Sequence, residues 1–300
     1  MTTVVHVAHD VAAGALGWLH ANHELGAFED DAAIADLNDP DEAYKPLCEL
    51  GLASSLVLRE GVAGTAEQRA ASELLDFSWK QMHEGDLLYE RQLRHALLTD
   101  PLETYVHYAR SGLRHEALEQ VLAQCSVADS MTEVLPNRRL AVANAHRVLG
   151  VHRDDDLVMM LRQTWLGRTP QPWALDWYTA YYMTHTVFHL TDWGALPGDL
   201  PPDVVEYLEN WLPAWIDVWA EAEQWDLLGE LLIVGACLPE PRCERAEWEL
   251  FARAQHADGF LPRDSGPVDD DPRKRYHDHQ HTAVVATIAG TLTLSRLFGT

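Results

Sequence analysis

Apolar residues recur at spacings of three and four along almost the whole chain, and the alternating Val/Ile/Thr runs bounded by Asn-Gly or Asp-Gly that mark strands are missing. The pattern predicts an all-α protein. Clusters of Gly, Pro and Asp punctuate it into twelve or thirteen helices, near 5–24, 41–59, 65–83, 85–98, 101–111, 114–124, 136–149, 154–166, 171–193, 201–221, 224–238, 241–256 and 274–298. Pro201 and Pro202 open the helix that reaches Trp219, Pro172 precedes Trp173, and Gly194 and Pro197 follow Asp192. No long Gly/Ser- or Pro-rich linker divides the series, so residues 1–300 read as one domain, the alternative being a seam near 129–136. Helices of similar length joined by short turns can bury their apolar faces only against one another. The expectation is a set of helical hairpins closed into an α/α toroid, with an open α-solenoid as the alternative.

The helix predicted over 171–193 carries the clearest candidate chemistry. At roughly 100° per residue, Tyr178, Tyr181, His189 and Asp192 all fall within about 40° of His185. The rest of its surface holds Trp173, Leu175, Trp177, Met183, Val187 and Leu190, so the helix is apolar nearly all round and is expected to be buried. A polar stripe on a buried helix must face partners or a cavity, because an unpaired buried polar group costs about 1–3 kcal/mol. His185 and His189 stand at i,i+4, a spacing from which two imidazoles can converge on one ion. Position 186 is Thr rather than Glu, so the His-Glu-x-x-His zinc-protease arrangement is absent.

A second such pair, His277 and His281, lies in Tyr276-His-Asp-His-Gln-His-Thr282 at the start of the last long helix, with His279 pointing away. These four histidines are the candidate metal ligands, for Zn, Fe or Cu. Asp192, Tyr178 and Tyr181 are the candidate catalytic groups, and Arg138 and Tyr182 the candidate substrate contacts, Arg138 for an anionic group unless it pairs with Glu133. The competing structural account has the histidines hydrogen-bonded to neighbouring helices, and the 277–281 cluster part of a charged loop.

Composition narrows the partners. With 22 Lys+Arg against 47 Asp+Glu the formal charge is −25, which disfavours nucleic acids and anionic membrane surfaces. A content of 47% hydrophobic residues with 11 Trp is that of a folded chain. The cysteines Cys48, Cys125, Cys237 and Cys243 lack disulfide-scaffold density or zinc-knuckle spacing and read as reduced. The longest nearly uncharged run, 282–295, is shorter than the roughly 18–20 residues of a membrane span. With no signal-peptide pattern at Met1-Thr-Thr-Val-Val-His6, a cytoplasmic protein is expected.

Two resemblances add to this. The segment Ala246–Pro262, ending in Ala254-Gln-x-x-Asp-Gly-Phe260 before another apolar helix, resembles the repeat of terpenoid-cyclase and protein-prenyltransferase α/α toroids. That likeness implies a fold; the Asp-x-Asp-Asp acid motif is missing, and Asp154–Asp156 and Asp269–Asp271 are plain acidic runs. The succession Trp18-Leu-His-Ala-Asn22, Lys45-Pro-Leu-Cys-Glu-Leu50, Leu135-Pro-Asn-Arg138 and Tyr182-Met-Thr-His-Thr-Val-Phe-His-Leu-Thr-Asp-Trp-Gly194 is similar to a functionally uncharacterised actinobacterial family. Such families often sit among natural-product biosynthetic genes, which implies small-molecule tailoring and assigns no catalytic residue. The leading expectation is therefore a metal-dependent oxidative or hydrolytic enzyme with a His-lined site in a helical toroid. A metal-free cyclase or lyase with an aromatic cavity, and a non-catalytic helical binding or scaffold protein, are the alternatives; no oligomeric state follows.

Overall fold

A computed structural model describes residues 3–28 and 44–299. Among these residues there are thirteen α-helices and no strand. They are α1 (Val4–Asn22), α2 (Lys45–Glu60), α3 (Thr65–Gln81), α4 (Asp86–Arg94), α5 (Asp100–Arg110), α6 (Glu116–Met131), α7 (Pro136–Val148), α8 (Leu157–Gln163), α9 (Trp177–Leu190), α10 (Pro202–Glu221), α11 (Trp225–Cys237), α12 (Arg245–Ala254) and α13 (Pro272–Phe298). The all-α reading holds. The start proposed for the second helix, at 41, lies outside the described residues.

The helix expected over 171–193 is shorter at both ends. Pro172–Ala174 forms a separate 3-10 turn, and the Asp176 side chain accepts from the Thr179 amide, capping α9 so that it begins at Trp177. At the other end Asp192, Trp193 and Gly194 have φ of 47°, 54° and 77°, so the chain leaves the helix before Asp192. Asp192 is thus not on the helical stripe. The expected burial is also confined to one end: Met183, Val187 and Leu190 are buried, whereas Trp173 and Trp177, at the entry to α9, are exposed.

Six helices pack side by side in a succession that returns on itself: α13 against α2, α2 against α5, α5 against α7, α7 against α9, α9 against α11, and α11 against α13. Polar contacts join like ends of these helices. Near the starts, Glu103 of α5 meets Arg138 of α7, and Tyr181 of α9 meets Asp226 of α11. Near the ends, Glu60 of α2 meets Ser295 of α13, and Arg59 of α2 meets the carbonyls of Asp192 and Trp193 just past α9. Neighbours in this succession therefore run in the same direction. The other helices lie against it: α3 on α2, α8 on α7, α10 and α12 on α11, and α1 across α13, α3 and α12.

α13 has the composition for a central place. From Thr282 to Leu294 every residue is buried, and Ala, Gly, Val and Thr dominate, so neighbours approach closely. Its threonines need no external partner where, as at Thr287, the hydroxyl donates to the carbonyl four residues back, 2.8 Å away. No helix is long and apolar enough to cross a membrane among the described residues. The Gln-His-Ala-Asp-Gly-Phe segment after α12 fastens that helix to α1. Gln255 donates to the Val11 carbonyl at 3.0 Å, Gly259 turns at φ 90° against the Gly14 carbonyl, and Phe260 packs its ring 5.6 Å from that of Trp18.

Candidate functional site

Four helices of the succession bring ionisable side chains together towards their starts. From α11 come Asp226 and Glu230, from α13 His281, from α2 Glu49 and from α9 Tyr181 and His185. One donor atom each from Asp226, Glu230 and His281 lies within 4.8 Å of the others. His281 Nε2 stands 3.5 Å from Asp226 Oδ2 and 3.7 Å from Glu230 Oε1, while its Nδ1 lies 2.9 Å from Glu49 Oε1. His185 Nε2 approaches Glu230 Oε1 at 3.4 Å. The H-x3-H pairs of α9 and α13 therefore each send one histidine, His185 and His281, to the same glutamate.

The carboxylates are held from behind. Tyr181 donates to Asp226 Oδ2 at 2.7 Å, Thr184 donates to Glu230 Oε2, and Gln280 donates to Glu49 Oε2 at 2.5 Å. Asp226 Oδ1 is buried and has no hydrogen-bond partner. Exposure separates the two residue types: Glu49, Asp226 and Glu230 are buried, yet the His185 and His281 side chains keep 38% and 32% of their surface accessible. The imidazoles thus form an open face over a buried acidic floor.

The electrostatics follow from that layering. Burial acts to raise all three carboxyls. At Glu230 the adjoining His185 and His281 outweigh burial and hold the group at about 2, and at Glu49 His281 brings it below its ordinary value. Asp226, desolvated and facing Glu230, stays raised despite His281. Burial would depress His281, but Asp226 and Glu49 together push it well above the usual imidazole range. Desolvation, then Asp226 and Glu230, push the Tyr181 hydroxyl up, so it stays a donor.

The remaining candidates fall into three places. Arg138 Nε pairs at 3.1 Å with Glu103, to which Thr99 also donates, rather than with Glu133. His189 sits beyond His185, where desolvation and the charges of His185 and Arg138 keep it neutral, beside His107, whose own value burial and Arg110 lower to about 3. Tyr178, Tyr182 and His277 are exposed: Tyr178 and Tyr182 on the first turns of α9, and His277 one turn before His281. His279 faces away, accepting from the Arg263 amide at 3.0 Å. Asp192 belongs to the opposite end of the succession, where Arg110 grips it at 2.6 and 2.9 Å and Asn144 donates at 3.0 Å.

Asp226 and Glu230 were not singled out from sequence, although the signal was present. Trp225-Asp-Leu-Leu-Gly-Glu-Leu-Leu-Ile-Val-Gly-Ala-Cys237 is apolar all round except for two carboxylates at i,i+4, the same argument that selected α9. Glu49 and Glu103 have no comparable mark, because their helices carry other polar residues.

A family model described as "Domain of unknown function (DUF6895)" matches residues 12–291. The chain belongs to the DUF6895 family. No curated protein and no solved structure matches it significantly. The match takes in eleven of the thirteen helices in full, most of α13 and part of α1, and all the side chains of the site, so the acidic basin lies inside the DUF6895 domain.

Proposed function

We propose that the six-helix succession is an α/α toroid and that its basin is the active site of a metal-dependent enzyme acting on a small molecule. The cyclic order of helix contacts and the common direction of neighbouring helices support the toroid over an open solenoid. The Asp226–Glu230–His281 group carries the metal reading: three donors within 4.8 Å, one buried oxygen without a partner, and three buried carboxylates facing only two imidazoles at ion-pair distance. A dication offsets that excess, and two carboxylates with one or two imidazoles suit zinc, manganese or ferrous iron better than copper. Glu49 behind His281 is the carboxylate that typically orients a ligating imidazole. Such an ion would polarise a carbonyl or activate water if zinc, and favour oxidative chemistry if iron.

The four free cysteines support a cytoplasmic setting. The part in natural-product tailoring rests on the resemblance around Tyr182–Gly194 alone. A metal-free acid–base site is the second reading, favoured by His281, which has a carboxylate on each ring nitrogen.

The deciding experiment is elemental analysis of tag-free protein beside Glu230→Gln, with folding matched by circular dichroism. Near-stoichiometric metal in the wild type and its loss in the folded variant is the expected result. No retained ion after reconstitution with zinc, manganese or iron sinks the metal reading and leaves the metal-free site.

A further inference from the structure

We infer that the substrate is a carboxylic acid whose carboxylate is received by the guanidinium fork of Arg138, while a second oxygen function of the same molecule reaches the Asp226–Glu230–His281 centre. This rests on the reading of the basin as a metal-dependent active site.

Position is the first observation. In the succession α13, α2, α5, α7, α9, α11, helix α7 stands three places from α13 in either direction. Arg138, in the first turn of α7, therefore lies across the ring from His281 and at the same end. Its surroundings lead back to the centre. Arg138 Nε lies 3.1 Å from Glu103 Oε1 on α5, whose carboxylate feels the charge of His185, and the charge of Arg138 in turn acts on His189. His185 is the imidazole that approaches Glu230 at 3.4 Å. Arg138 and the three-donor group thus border one basin from opposite walls, which suits a molecule with two polar ends.

The state of the fork is the second observation. None of the five N–H groups of Arg138 makes a hydrogen bond with a described residue, and the side chain keeps 48% of its surface accessible. Arginines at the other end of the ring are occupied: Arg110 binds the Asp192 carboxylate through both Nη atoms, and Arg59 the carbonyls of Asp192 and Trp193. Glu103 steadies Arg138 without using its fork. The same Glu103 oxygen accepts from Thr99 at 2.7 Å, and burial holds Glu103 above the ordinary carboxylate range even beside Arg138. The terminal nitrogens of Arg138 are left to make the parallel pair of bonds that a carboxylate accepts. The first turn of α7 holds no acidic residue and its N-cap, Leu135, makes no side-chain cap, so the positive end of the helix dipole adds to the charge of Arg138. A planar monoanion suits this place better than a phosphate, because a second negative charge would stand against Glu103.

The test uses the full chain loaded with zinc and the monohydroxamic acids of succinic, glutaric and adipic acid, each beside its primary-amide counterpart. The hydroxamate grips zinc in both members of a pair, so they differ only in charge at the far end. Calorimetry reads affinity, and elemental analysis of the same samples reads zinc. At the best-fitting length the carboxylate should bind about ten-fold tighter than the amide. Arg138→Gln, matched in folding by circular dichroism, should abolish that preference with zinc content and amide affinity unchanged. Arg138→Lys, which keeps the charge but not the fork, should restore only part of it. Zinc retained with no carboxylate preference at any length, with a preference that survives Arg138→Gln, or with the phosphonate of the same length bound tighter, overturns this inference alone. Zinc not retained overturns the metal reading, and the anchor is then read from the Arg138 Nε–H NMR signal. A shift with glutarate but not with glutaramide keeps the carboxylate anchor, and no such shift overturns it as well.

Discussion

Asp192, Trp193 and Gly194 occupy the left-handed region in succession, a backbone path that non-glycine residues adopt only when their surroundings impose it. Here Arg59 donates to the Asp192 and Trp193 carbonyls at 3.0 and 2.8 Å, and Arg110 and Asn144 fix the carboxylate. Trp193 stacks on Phe188 at 4.5 Å. Asp192 is thus the anchor that ties the ends of α2, α5 and α7 to the end of α9. Burial alone would raise its carboxyl, but the Arg110 bond and charge hold it at about 2, below the 3.8 of an unperturbed group. Because the folded value is the lower one, the stabilisation is present above pH 4 and is lost as pH falls towards 2. The shift corresponds to about 2 kcal/mol. Asp192→Ala should cost more, about 3–5 kcal/mol, because it leaves the largely buried Arg110 guanidinium without its carboxylate. Guanidinium denaturation at pH 7 and pH 3 checks both: the wild-type penalty at pH 3 should be about 1 kcal/mol smaller in the variant, where Glu230 and Glu49 still titrate, and a pH 7 loss below about 1 kcal/mol would refute the anchor. At this scale the sequence was readable only in part. The Tyr181, His185 and His281 side chains were legible from spacing, but Asp192 was assigned to the site because helical periodicity was carried past a turn that only backbone dihedrals reveal.

At the scale of elements, residue pattern and end signals located the helices, and the departures have local causes. Asp176 caps α9 late, which separates the exposed Trp173 from the helix it was assigned to. The helix expected over 114–124 continues to Met131 because no Gly or Pro interrupts it. The Gln255–Phe260 turn is closely determined by contacts with α1. A Cβ on Gly259 would stand 2.1 Å from the Gly14 carbonyl oxygen, whereas one on Gly61, also at positive φ, would meet nothing within 4 Å. Gly61→Ala should therefore cost only the backbone penalty, about 1–2 kcal/mol. Gly259→Ala should cost at least about 2 kcal/mol more, since α1 and α12 must separate. Equal midpoints for the two variants in chemical denaturation would show that the turn does not clamp α1.

For the whole molecule, the arrangement of contacts makes α13 the common neighbour of α1, α2 and α11. Opening any of its backbone hydrogen bonds in the buried stretch requires disrupting several helices at once, so Ala283–Leu292 should be among the slowest-exchanging amides in hydrogen exchange. The short α4 and α8, which carry exposed Leu93, Val158 and Met159, should exchange much faster. Protection in α13 no greater than in α8 would contradict a central α13. The sequence by itself determined the all-α class, most helix positions and the two histidines that reach the site, because helical periodicity, caps and breakers act over a few residues. It determined neither the cyclic order of the helices nor the carboxylates opposite those histidines. Glu49, Glu103, Asp226 and Glu230 stand up to 181 positions apart in the chain, and side chains that distant become neighbours only when the apolar faces of separate helices pack together. The tertiary structure decided which acids face His185 and His281, which arginines are already taken, and which aromatic rings remain open to solvent.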